Sequence, residues 1–149
     1  MTPNKPRTAS LMSTPQDIEA QFYEALQRGD IEALMGVWSD DEDIVCVHPG
    51  GPRIVGAAAI RATFDSIFAN GPINVHPEKL RTVNTGHCAV HNLMERVDIS
   101  TDEGPNTAWV IATNVYIKTD QGWRLVAHHA SPGSPRELQE VAEAPSVLH

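Results

Sequence analysis

Three observations predict an α+β fold in which N-terminal helices cover one face of a mostly antiparallel sheet. Apolar residues recur at helical spacing only in the first half of the chain, up to Phe68. From Ile73 to Ser131 the chain is instead a succession of runs rich in Val, Ile, Thr and aromatic residues, separated by turn residues. Helix and strand signals thus follow one another rather than alternate, which excludes a doubly wound parallel sheet. A length of 149 residues fits one domain large enough to bury a core.

Residues 1–13 carry Pro3, Lys5, Pro6 and Arg7 with little apolar content and are expected to form a flexible tail. Thr14-Pro15-Gln16-Asp17 reads as a helix start: Thr14 caps, Pro15 suits the first helical position, and Asp17 places an acid in the first turn. Ile18, Phe22, Ala25 and Leu26 fall on one face of that helix. Gly29 closes it, and Asp30 caps a short second helix carrying Ile31, Leu34 and Met35. After Trp38 the acidic run Asp40–Asp43 lacks the glycine and terminal glutamate of a calcium loop and reads as a solvated turn. Ile44–His48 is strand-like and ends at Pro49-Gly50-Gly51-Pro52, which has no GK[ST] and so is no phosphate loop. Gly56 begins a third helix with the stripe Ile60, Phe64, Ile67 and Phe68, ended by Gly71-Pro72. Strands are expected over 73–84, 88–99, 108–118 and 123–131. Turns fall at Thr85-Gly86, Thr101–Pro105 and Thr119–Gly122. The single domain is placed at 14–133, with a C-terminal tail at 134–149.

A net charge of −8 argues against nucleic acid or an anionic membrane as the main partner. No run of about 18 apolar residues is present, so no membrane span is expected. The opening MTPNKPRTASLMS lacks a secretory apolar stretch, and a cytoplasmic location is expected. Cys46 and Cys88 lie in apolar strand-like segments, where buried free thiols suit a reducing compartment better than a disulfide. His87 and His91 would be roughly 13 Å apart along a strand, and neither HExxH nor finger spacing occurs. Neither a metal nor any other cofactor is expected. No nucleophile or dinucleotide motif is seen.

The helix pair through Trp38, the segment VCVHPGG with Gly56 and the helix AIRATF, and the ending ATNVY…DQGWRLVAHHAS resemble the nuclear-transport-factor-2-like superfamily. The resemblance is to its SnoaL-like, ketosteroid-isomerase-like branch and spans about residues 14–133. The final block is also similar to the association domain of calcium/calmodulin-dependent protein kinase II. The resemblance implies a cone-shaped roll of the cystatin-like kind, whose strongly curved sheet wraps a long helix and leaves a cavity at the open end. It also implies a homodimer through the outer sheet face. The position matching Asn114 carries arginine in the kinase association domain, and the position matching Ala127 is often histidine, so an anion site is not carried over. The tyrosine and paired acids of the isomerase have no residue-by-residue match.

Within that cone, His48 and Glu95 are the candidate catalytic residues, for cofactor-free acid–base chemistry on a small, largely apolar ligand. Trp38, Asn114, Tyr116, His128 and His129 are the candidate ligand contacts. Asn114 sits among β-branched neighbours and needs a partner. His128 and His129 point to opposite faces, so at most one reaches the cavity. A two-residue turn at Asp120-Gln121 pairs Asn114 with Ala127, whereas a three-residue loop closed by Gly122 pairs it with His128. A non-catalytic homo-oligomeric module is the alternative function.

Overall fold

A computed structural model of the chain describes residues 13–133 and 140–143. The expected tails at 1–13 and 134–149 therefore lie almost wholly outside the described residues. Helix α1 (Pro15–Arg28) starts in a capping box: the Asp17 amide donates to Thr14 Oγ1 and the Thr14 amide to Asp17 Oδ2. Gly29, left-handed at φ 65°, closes it. Asp30 caps α2 (Ile31–Val37) by accepting from the Ala33 amide. Helix α3 (Ala57–Phe68) starts at Gly56, whose φ of 90° and ψ of 154° admit essentially only glycine.

The sheet has six strands: β1 (Val45–Val47), β2 (Arg53–Val55), β3 (Val75–Asn84), β4 (Cys88–Thr101), β5 (Gly104–Thr119) and β6 (Gly122–Pro132). Their order is β2-β1-β6-β5-β4-β3. Neighbours are antiparallel except β1 and β6, which run parallel. At 14 and 16 residues, β4 and β5 are far longer than the usual ~5–6. Their accumulated twist curls the sheet around α1. Ile18, Phe22 and Leu26 of α1 and Ile60 and Phe64 of α3 pack with Ala89, Leu93, Ala112 and Leu125 of the inner sheet face to form the core.

Four details differ from expectation. Strand β2 had no sequence signal, being three residues enclosed by glycine and proline. The β4–β5 turn is tighter than Thr101–Pro105, because the strands pair out to Thr101 and Gly104. Both cysteines are free, but Cys88 is only half-buried. The β5–β6 hairpin follows neither register alternative as written. Its turn is the two-residue one, with Thr119 opposite Gly122 and Tyr116 opposite Leu125. One residue is then extruded at Val126, so that Val115 faces Ala127 and Asn114 faces His128. A β-bulge supplies the shift that a longer loop would have supplied.

Candidate functional site

Alternation along β4, β5 and β6 puts Glu95, Asn114 and His128 on the buried face of the sheet, toward α1. Glu19 and Tyr23 of α1, four residues apart and so on one helix face, meet them. The Tyr23 hydroxyl donates to Glu95 Oε2 at 2.7 Å and accepts from Asn114 Nδ2 at 3.1 Å. Glu19 Oε2 accepts from Tyr116 Oη at 2.9 Å and from Asn114 Nδ2 at 3.3 Å, and lies 3.0 Å from His91 Nδ1. Asn114 Oδ1 lies 2.5 Å from His128 Nδ1, and the other ring nitrogen, Nε2, is 4.0 Å from Glu95 Oε2. Seven side chains from one helix and three strands thus form one buried polar chain.

A cavity of about 140 Å³ opens at one end of that chain. Its polar wall is His48, Glu95 and His128; its apolar wall includes Phe22, Phe64 and Val110. Phe22 lies against the His128 ring at 5.2 Å between centroids, and Phe64 meets His48 edge-on at 5.0 Å. The volume is close to that of apolar cavities of about 150 Å³ that accept benzene, so a single ring fits within it. A wider groove of about 490 Å³ between Asp41, Asp43, Ile117 and Val126 has no imidazole and no buried acid.

Burial sets the protonation states. It pushes Glu95 up to about 7; the Tyr23 hydrogen bond opposes the rise and the charge of Glu19 adds to it. Burial, with smaller repulsion from His48 and His129, takes His128 down to about 3, so it is neutral across the physiological range. His48 is also lowered by burial. Cys46, whose Sγ lies 3.8 Å from His48 Nε2, is pushed up to about 12 by burial and the charge of Glu95, and is no thiolate nucleophile. Burial likewise raises the hydroxyls of Tyr23 and Tyr116, which therefore serve as donors.

The structure therefore brings His48, Glu95 and His128 together at the cavity and sets Asn114 one hydrogen bond behind them. The other three predicted contacts do not reach it. Tyr116 shares the inner face, but its hydroxyl is held by Glu19. Trp38 is buried beside Leu125, and its Nε1 has no partner among the described residues. His129, one residue on from His128, is exposed on the opposite face, beside Val47 and Thr113. The sequence patterns above single out neither Glu19 nor Tyr23, and they bring in His91 only as a possible metal ligand. A signal existed: an acid and a tyrosine at i and i+4 border the α1 apolar stripe one position on from Ile18 and Phe22. Among the described residues no group of three or more His, Cys, Asp or Glu is placed to hold a metal ion.

The SnoaL-like domain model matches residues 16–135. A structure from Thiobacillus denitrificans, described as a calcium/calmodulin-dependent protein kinase type II association domain, is 30% identical. The match covers 83% of this chain and 98% of that one, with a TM-score of 0.75. One from Streptomyces avermitilis, described as a dehydratase of the NTF2-like family, is also 30% identical, covering 78% and 92% with a TM-score of 0.69. An NTF2-like protein with a cystatin-like fold from Novosphingobium aromaticivorans is 20% identical over 86% of this chain and 85% of that one, with a TM-score of 0.69, and supports the fold alone. No curated protein matches the chain.

Proposed function

The chain belongs to the SnoaL-like domain family, and from that premise we propose that it binds a small, largely apolar, single-ring molecule in the cavity and performs acid–base chemistry on it. The observation that carries this reading is the buried Glu95 carboxyl on the wall of an otherwise apolar cavity, poised near neutrality. A group with that proton affinity both takes and returns a proton at physiological pH. Glu95 withdraws a proton from one ligand atom and delivers it to another, or to a departing hydroxyl. These are the isomerase and dehydratase outcomes, and neither needs an electron carrier. Neutral His48 hydrogen-bonds the ligand oxygen, neutral His128 accepts from a ligand hydroxyl, and the Tyr23 hydroxyl steadies the Glu95 carboxylate. The likeness to a protein described as a dehydratase supports the same class.

The test is a thermal-shift screen of single-ring ketones, phenols and lactones, followed by kinetics on the compounds that raise the melting temperature. With Glu95→Gln, turnover is expected to fall by ~10²–10⁴ while affinity changes only a few-fold. In the wild type, kcat/KM should inflect near pH 7, rising with pH if Glu95 starts as the base. Full turnover in the glutamine variant, or a screen with no stabilising compound, sinks the reading.

A non-catalytic homo-oligomeric module is the second reading, favoured by the likeness to an association domain. Under either reading the half-buried outer-face residues Ile111, Val115 and Ala127 are the proposed homodimer surface. Sedimentation returning the mass of one protomer at micromolar concentration would remove that surface from the account.

A further inference from the structure

We infer that Glu19 is a positioning residue for this site: through Asn114 it fixes which nitrogen of His128 carries the proton. The inference rests on the functional reading above and extends it to a residue that does not line the cavity. Glu19 Oε2 sits 3.3 Å from Asn114 Nδ2 and also receives the Tyr116 hydroxyl at 2.9 Å. With its amide reversed, Asn114 would set its oxygen against that carboxylate oxygen, acceptor on acceptor. Tyr23 reinforces the choice, because its proton is committed to Glu95 and its oxygen is left to accept from Asn114 Nδ2. Both contacts hold the amide nitrogen toward α1 and leave Asn114 Oδ1 facing His128 Nδ1 at 2.5 Å.

An amide oxygen only accepts, so Nδ1 must carry the hydrogen. The neutral ring has one proton, and Nε2 is therefore a bare acceptor, 4.0 Å from Glu95 Oε2. That spacing lets one hydroxyl or water donate to either group. With the opposite tautomer, Nε2–H would point at the same space and compete with the ligand for the Glu95 carboxylate. The carboxylate on α1 thus decides whether the cavity presents a second acceptor or a donor.

Long-range ¹H–¹⁵N correlation on the full chain labelled at histidine reads the tautomer without any ligand. Wild-type His128 is expected to show a protonated Nδ1 and a bare Nε2. In Glu19→Gln, whose side-chain amide can face Asn114 either way, the ratio of Nδ1–H to Nε2–H is expected to fall about tenfold or more. Tyr116→Phe, which removes another Glu19 partner but leaves the Asn114 contact, should keep the wild-type signature. If Glu19→Gln does not fold, Glu19→Asp provides the reading, since it keeps the charge but draws it back from Asn114, and the same direction of change is expected. A wild-type Nε2–H signal, or a folded Glu19 variant with the wild-type ratio, overturns the proposal. Ligand binding failing with the tautomer as expected would instead count against the function alone.

Discussion

Glu95 and His128 share one buried wall, and burial shifts them in opposite directions with opposite consequences for stability. Glu95 titrates higher in the folded chain, about 7 against an ordinary 4.5, so the folded state holds its proton longer. Its contribution is present below pH 4.5 and is lost as pH rises toward 7, by roughly 3 kcal/mol in full. His128 titrates lower, about 3 against 6.5, so the unfolded chain binds the proton first as pH falls. Its contribution is present above pH 6.5 and is lost toward pH 3, by a few kcal/mol. Between pH 4.5 and 6.5 the two slopes oppose each other, and the wild-type stability profile should be nearly flat there. Denaturant titrations across that window are expected to separate them. Glu95→Gln should gain stability with rising pH, and His128→Asn should lose it. Parallel profiles for both variants and wild type would mean that neither group is desolvated as described.

Among the elements, the starts and ends of the helices were legible and the pairing of the strands was not. Thr14, Asp30 and Gly29 announce themselves because their chemistry is local: a side-chain oxygen three residues before an amide, or a residue free to adopt positive φ. Gly56 belongs to the same class and gives a sharp test. Alanine there would have to hold φ 90° and ψ 154°, and is expected to cost about 1–3 kcal/mol. Alanine at Gly36, in α2 with open space around the new methyl group, should be neutral or stabilising by up to about 1 kcal/mol. Equal melting temperatures for the two variants would contradict the backbone argument.

The Val126 bulge shows why the site was harder to read than the fold. Nothing in Arg124-Leu125-Val126-Ala127 marks which residue is extruded, because the bulge answers to the curvature of the whole sheet. Yet that extrusion puts His128, rather than Ala127, opposite Asn114. Glu19 was hidden for a related reason. On a helical wheel it borders the polar side, and only the curl of β4 and β5 over α1 buries it.

At the scale of the whole molecule, the long strands β4 and β5 bend over α1, and α3 closes one side with Phe64. A hollow about the size of one ring is left between apolar packing and the polar chain from Glu19 to His128. The volume is small beside the roughly 300–1,000 Å³ of drug-sized pockets, so steroid-sized ligands are not expected without rearrangement. Phenol matches the hollow in size, and its single hydroxyl has a choice of two acceptors there, donating to one of them.

A crystal of the chain soaked with phenol tests this account most directly. The ring should lie between Phe22 and Phe64, with its oxygen ~2.6–3.2 Å from the Glu95 carboxyl or His128 Nε2. A hollow filled by a rotated Phe64, or phenol bound only in the groove beside Asp41 and Asp43, would contradict it.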